Sequence, residues 1–165
     1  MRKKNLKSAI SALFGALLIL ALTGCAAGPD AMTRNLRQVT DGVEGVSGSI
    51  KALNVLLVTQ EDGSAVLVGT FVNSGEERDA ITAITANGIP GEISVSTLDQ
   101  YSGPAIFEGE SKNSSAIFPG LNVKASDHVD LVVSFANSGP LKLSPLVRAK
   151  TDIYANVGST ENVEN

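Results

Sequence analysis

The 165-residue chain is poor in the side chains from which most catalytic and metal sites are built. It has one cysteine, one histidine, two methionines, no tryptophan, and only five Phe and two Tyr. A single cysteine excludes an intramolecular disulfide. One histidine leaves little scope for a nucleophile with an adjacent base. The sequence therefore favours a domain held together by core packing alone, and it does not favour an enzyme.

The N-terminus, by contrast, carries a clear pattern. Arg2, Lys3, Lys4 and Lys7 form a basic start, and residues 10–22 follow without a charge. A basic head before a short apolar run is typical of an export signal. The run is shorter than the roughly 20 apolar residues that a membrane-spanning helix needs. We therefore predict a signal peptide over residues 1–24.

The apolar run ends in L-T-G-C, formed by Leu22, Thr23, Gly24 and Cys25. This tetrapeptide resembles the bacterial lipobox, in which small residues suit the lipoprotein signal peptidase and the cysteine thiol takes a thioether-linked lipid. We predict cleavage between Gly24 and Cys25, acyl chains such as palmitate on Cys25, and attachment to a cell membrane on its extracytoplasmic face. The alternatives are a plain signal peptide and an anchor helix with an incidental cysteine.

The charge of the exported part narrows the class of partner. The signal takes four of the thirteen basic residues, so nine Lys and Arg remain against seventeen Asp and Glu, a net charge near −8. Nucleic acid and anionic headgroups are bound by clustered cations. We therefore predict no nucleic-acid partner. The membrane, reached through lipid on Cys25, and a protein of the cell envelope are the predicted partners.

Composition divides the exported part into three segments. Residues 25–49 are rich in Gly and small polar residues, and they are predicted to be the lipidated cysteine and a flexible tether. Residues 50–155 contain short β-rich runs between turn residues, and residues 156–165 form a polar tail predicted to be disordered. We count seven or eight antiparallel strands, which indicates an all-β sandwich or barrel. Asp62-Gly63 and Asn87-Gly88 are the strongest hairpin turns.

One pentapeptide pattern, F-x-N-S-G, occurs twice, at residues 71–75 and 135–139. Each copy follows a strongly apolar run. Gene duplication would explain the repeat, and so would two hairpins that use the same turn chemistry.

The motifs of known chemistries are missing from the sequence. His128 stands in D-H-V-D between Asp127 and Asp130, but on a strand the three side chains do not all lie on one face, because Asp127 at i−1 points away from His128. The sequence has no G-x-S-x-G elbow, no phosphate-binding glycine loop and no D-x-[DN]-x-[DN]-G calcium loop. We predict no catalytic residues, no metal ligands and no cofactor.

Four stretches of the predicted domain resemble a known family: I-K-A-L-N-V-L-L-V at 50–58, T-F-V-N-S-G-E at 70–76, H-V-D-L-V-V-S-F at 128–135 and G-P-L-K-L-S-P-L-V at 139–147. They are similar to small actinobacterial lipoproteins related to the PCu(A)C copper-chaperone family. The resemblance implies an immunoglobulin-like or cupredoxin-like sandwich on the outer surface of a membrane.

The resemblance does not extend to the family's copper ligands. Members of that family hold copper with His and Met in an arrangement like H-(M)…M…H-x-M, whereas Val129 and Asp130 follow His128 here. Once the signal is removed, Met32 is the only methionine, and it lies in the predicted tether. Cu(I) usually takes two to four soft ligands. The sequence therefore predicts a non-catalytic, lipid-anchored binding or interaction module, with copper handling as the alternative.

Overall fold

The computed structural model describes residues 41–95, 97–99 and 103–159, which form eleven strands and one short helix. The first six strands are β1 (Val43–Ser47), β2 (Ile50–Thr59), β3 (Ala65–Asn73), β4 (Ile81–Ala86), β5 (Ile89–Pro90) and β6 (Glu92–Ser94). They are followed by β7 (Ala105–Ile106), β8 (Ser115–Phe118), β9 (Leu131–Phe135), β10 (Leu141–Leu143), β11 (Val147–Arg148) and a 3-10 helix (Asp152–Tyr154). In this part of the chain, no helix has the length and apolarity to cross a membrane.

The strands form two sheets. The larger sheet has the order β1-β2-β3-β8-β6, with β11 added to β2 and β7 added to β3. The smaller sheet has the order β10-β9-β4-β5. All pairs are antiparallel except β11 with β2, which is parallel. The predicted all-β sandwich is confirmed, with eleven strands instead of seven or eight, because β1 and β5 were not expected and residues 141–148 contain two short strands.

One apolar core lies between the sheets. The larger sheet contributes Leu67 and Phe71, and the smaller sheet contributes Ile84, Leu131 and Val133, all at most 1% exposed. Phe71 makes an edge-to-face contact with Phe107, with ring centroids 5.5 Å apart. Alternating side chains of both sheets fill this core, as is usual in sandwiches of antiparallel sheets.

Strand β2 changes the face that it turns to the core at Asn54. Ile50 and Ala52 point inward, and after a bulge at Asn54, whose φ is 51°, Val55 and Leu57 point inward. One extra residue in a strand produces this change of face. The Asn54 side chain accepts a hydrogen bond from the Gly42 backbone N–H at 2.9 Å, which ties the bulge to the start of the domain.

The second half of β2 is buried on both faces. Its outward side chains Leu56 and Val58 form a second apolar cluster with Val66 of β3 and with Val157 near the C-terminus. Tyr154 packs against the same cluster. Burial on both faces explains why V-L-L-V reads as one continuous apolar run.

Both predicted hairpin turns are present. Gly63, with φ of 80°, turns β2 into β3, and Asn87 and Gly88, with φ of 49° and 79°, turn β4 into β5. Two consecutive residues of positive φ are the signature of a type I′ turn. Beyond β5 the chain crosses to the larger sheet at Gly91, where a Cβ atom would lie 2.7 Å from the ring of Phe118.

The predicted boundaries of the domain differ from the observed ones at both ends. Residues 43–49, expected in the tether, form β1 and a turn, because their small residues let β1 lie close to β10. A Cβ atom on Gly45 would come within 2.6 Å of Leu143. Residues 156–159, expected in the tail, include Val157, which is 8% exposed. Residues 1–40 and 160–165, with the predicted signal and most of the tether, lie outside the described residues.

Candidate functional site

The lipidation residues predicted from the sequence are not among those that the structure describes. Leu22, Thr23, Gly24 and Cys25, together with Met32, lie outside the described residues. The lipobox, the cleavage site and the acyl chains therefore stay predictions.

His128 lies at the surface just ahead of β9. It pairs with Leu146 through an isolated antiparallel bridge, and its side chain is exposed. Its two acidic neighbours are engaged in backbone structure: Asp127 Oδ2 accepts a hydrogen bond from the Lys124 N–H at 2.8 Å, and the Asp130 N–H donates to Asn87 Oδ1 at 2.9 Å. This pattern of bonds indicates a turn followed by a strand.

The described domain also offers few soft ligands for copper. It contains His128 and no methionine or cysteine. Among its residues, no three His, Cys, Asp or Glu side chains form a group that could hold a metal ion. Because Cu(I) takes two to four thioether, thiolate or imidazole ligands, the residues of this domain do not fit a Cu(I) site of the family's type.

The most elaborate polar arrangement lies where three loops meet at one end of the sandwich. We call residues 47–49, 73–79 and 136–139 the turn cluster. It contains both copies of N-S-G. Only the second copy belongs to a hairpin, between β9 and β10, whereas the first starts the crossing from β3 in the larger sheet to β4 in the smaller one. Of the two explanations offered for the repeat, the one that places both copies in hairpins is therefore wrong for the first copy, because the chain leaves the larger sheet there and enters the smaller one.

Asn73 joins the first and second loops of the turn cluster. Its Nδ2 donates to the carbonyl oxygens of Glu77 at 2.7 Å and Leu98 at 3.1 Å. Its Oδ1 accepts from the Gly75 N–H at 2.9 Å and from Ser49 Oγ at 2.8 Å. With four partners the amide is fully used, so Asn73 fixes the shape of the loops.

Asp79 joins the second and third loops. Its side chain is 4% exposed. Oδ1 accepts from the Ala80 N–H at 2.8 Å and the Asn137 N–H at 2.9 Å, and Oδ2 accepts from the Ser138 N–H at 2.9 Å. Burial raises the pKa of Asp79, but the hydrogen bonds from Ser138, Asn137 and Ala80 outweigh it, so this pKa lies below 3.8.

The outer rim of the turn cluster is exposed and acidic. Ser74, Glu76 and Glu77 face solvent. Arg78 is 74% exposed, although its Nε lies 3.3 Å from Oδ2 of the buried Asp99. The cluster thus combines a rigid, internally bonded base with a rim whose side chains are accessible. Sequence reasoning found the two N-S-G turns but missed Asp79, because nothing local marks an Asp whose partners lie nearly sixty residues away.

A second polar arrangement lies where the described chain begins. Asp41 Oδ2 is 2.9 Å from Arg148 Nη2 and accepts a hydrogen bond from Tyr154 Oη at 2.9 Å. Burial and the bond to Asp41 raise the pKa of Tyr154 above 10.0. Asp41, Arg148, Ile153 and Tyr154 line one open cavity of about 450 Å³. Six residues of extended chain, about 20 Å, separate Asp41 from Ser47 and the turn cluster.

No family model matches the chain, and no curated protein matches it. Solved structures do. The copper-bound PCuAC domain from PmoF2 superposes with a TM-score of 0.53 at 15% identity, over 65% of this chain and 98% of that one. The apo PmoF2 PCuAC domain gives a TM-score of 0.52 at 13% identity, over 67% and 98% of the two chains. The resemblance noted from the sequence is thus confirmed for the fold: the described domain is similar to PCuAC domains.

Proposed function

We propose that this protein is a lipid-anchored, non-catalytic binding module on the extracytoplasmic face of a cell membrane, and that its turn cluster binds another protein of the envelope. The observation that carries the proposal is the distance between the point where the chain enters the domain and the exposed loops of the turn cluster. The chain enters the domain at Asp41, whereas the rigid, exposed loops lie about 20 Å further along β1.

The anchor is supported by the sequence ahead of the domain. L-T-G-C ends at Cys25, and fifteen residues separate Cys25 from Asp41. The tether predicted from the sequence would have a root-mean-square span of about 20 Å if it behaves as a flexible chain of this length. It would hold the domain near the membrane while leaving it free to turn its loops outward.

The binding role is supported by the build of the turn cluster. Loops on a rigid scaffold commonly carry binding function, and Asn73 and Asp79 make these loops rigid. The rim presents Glu76 and Glu77 from a domain with a strong excess of acidic residues. A basic surface on the partner protein would complement this rim, mainly by speeding association and setting specificity.

The anchor is tested on the protein purified from cells. The mass of the N-terminal peptide should include acyl chains on Cys25, and Cys25→Ser should abolish both this acyl mass and the cleavage after Gly24. An unmodified Cys25 in the membrane-bound protein contradicts the proposed anchor.

The binding role is tested by photo-cross-linking in intact cells. A photoreactive amino acid at Glu77 should trap a distinct envelope protein, whereas the same amino acid at the exposed Glu61, in the β2–β3 turn at the opposite end, should not. Glu76→Lys should reduce the yield from position 77 severalfold. Equal products from positions 61 and 77, or cross-links only between copies of this chain, would contradict the proposal.

Copper handling is the second candidate, and the likeness of the fold to a copper-bound PCuAC domain is the observation that favours it. Fold alone is weak support for function, and the domain's ligand set does not fit. An anaerobic Cu(I) titration of the detergent-solubilised mature protein, beside its His128→Ala variant, separates the two candidates. We expect no tight binding in either protein. One-to-one binding that the substitution abolishes would establish copper handling instead.

A further inference from the structure

Ile153 is the most exposed large apolar side chain of the described residues, at 81%. It occupies the middle of the 3-10 helix Asp152–Tyr154. Tyr154 fixes the helix from one side, because its ring packs on the second apolar cluster and its hydroxyl binds Asp41. Asp152 adopts φ of 53°, a left-handed conformation that is uncommon outside glycine. Ile153 is thus held outward by a structured turn.

Ile153 lies near Asp41, the residue at which the chain enters the domain. Ile153 and Asp41 line the same cavity. Asp41 is joined to Cys25 through only fifteen residues. A surface attached at Cys25 is therefore presented to Ile153 at a high effective concentration, so that a contact too weak to hold a free protein becomes populated.

The charges around Ile153 are compatible with a lipid surface. Arg148 is paired with Asp41 at 2.9 Å, and Lys150 donates to Gln60 Oε1 at 2.9 Å. Gln60 is neutral, so the formal charge of Lys150 is offset by that of Asp152 on the helix. The patch is thus close to neutral, unlike the acidic turn cluster, and it would meet less repulsion from lipid headgroups than the rest of the domain.

We propose that Ile153 rests on the lipid bilayer that holds Cys25, so that the domain stands on the membrane with its 3-10 helix down and its turn cluster outward. This inference rests on the proposed lipid anchor. Isolated exposed apolar residues are common on protein surfaces; the short connection to Cys25 and the fixed turn are what distinguish this one.

The experiment uses the mature lipidated protein in vesicles of phosphatidylcholine and phosphatidylglycerol. Because the lipid would occupy the thiol of Cys25, an environment-sensitive fluorophore can be attached selectively to a single introduced cysteine. The reporter site is Ala155→Cys, which is exposed and two residues from Ile153. The matched site is Val46→Cys, 63% exposed near the turn cluster.

We expect a blue-shifted emission and severalfold stronger quenching by lipid-borne quenchers at position 155 than at position 46. Adding Ile153→Asp to the Ala155→Cys protein should bring its signal to the level of position 46. Equal signals at both positions, in protein that floats with the vesicles, overturn the contact and leave the anchor intact. Protein that does not float with the vesicles overturns the anchor and this inference together.

Discussion

Asp79 shows how one side chain can hold two loops together in a domain that has no disulfide. Its carboxylate accepts three backbone N–H groups, from Ala80, Asn137 and Ser138, at 2.8 to 2.9 Å. Hydrogen bonds to an ionised group are worth more than neutral ones. Because the pKa of Asp79 is lower in the folded chain than in the unfolded chain, Asp79 stabilises the fold above about pH 4. This contribution is lost as the pH falls through the folded-state pKa.

We predict that Asp79→Asn lowers the free energy of unfolding by about 1.5–3 kcal/mol at pH 7, the range for hydrogen bonds to charged groups. In asparagine an NH2 group replaces one of the two carboxylate oxygens. This NH2 group cannot accept a hydrogen bond, so at least one of the backbone N–H groups loses its acceptor. The loss should also be smaller at pH 3 than at pH 7. Urea unfolding at both pH values checks this, with Asp130→Asn at an exposed carboxylate as the control. Equal losses in the two variants would contradict the role of Asp79.

At the scale of the elements, the packing of β2 depends on a bulge that the sequence predicts only in part. Asn tolerates positive φ better than other non-glycine residues, and Asn54 interrupts two apolar runs that point inward at even and then at odd positions. Because of the bulge at Asn54, both halves of this ten-residue strand pack against the main core, and the second half also packs its outer face against the second apolar cluster.

We predict that Asn54→Val destabilises the domain more than Asn54→Gly. Valine at φ of 51° is strained by about 1–3 kcal/mol, in addition to the lost hydrogen bond from the Gly42 N–H. Glycine accepts the backbone conformation and loses mainly that bond, about 0.5–1.5 kcal/mol. Denaturant midpoints of the three proteins check the order. A valine variant as stable as the glycine variant would show that the bulge can be removed without cost.

Local features of the elements were predictable from the sequence, and long-range pairings were not. Asp62-Gly63 and Asn87-Gly88 specify their turns through the φ values that they accept, and both hairpins form as expected. β1 was missed because V-E-G-V-S contains two small residues, Gly45 and Ser47, and local sequence does not show that Leu143 packs against Gly45. The parallel pair of β11 with β2 joins residues ninety positions apart, and no local pattern encodes it. Asp79 was missed for the same reason.

At the scale of the whole molecule, the C-terminal segment completes the domain. Val157 covers Leu56, Val58 and Val66 on the outer face of the larger sheet. The domain of the described residues therefore extends beyond residue 155, because three apolar side chains of its longest strands need a cover.

We predict that ending the chain after Ala155 lowers the free energy of unfolding by about 1.5–3 kcal/mol, the value for burying one valine. Ending it after Ser159 should leave stability within about 0.5 kcal/mol of the full chain, since it spares Val157. Thermal and urea unfolding of the three proteins check this. If both shortened chains match the full chain, Val157 does not stabilise the domain.

The two ends of β1 have a mechanical consequence. In the proposed arrangement, a pull from the membrane would arrive at Asp41 and a pull from a bound partner would arrive at the turn cluster, so the tension would run parallel to β1. Hydrogen bonds between antiparallel strands lie perpendicular to the strands. Tension in this direction therefore shears the β1–β2 bonds together instead of opening them one by one. The Asp41–Arg148 ion pair, at 2.9 Å, lies where this tension would enter the domain.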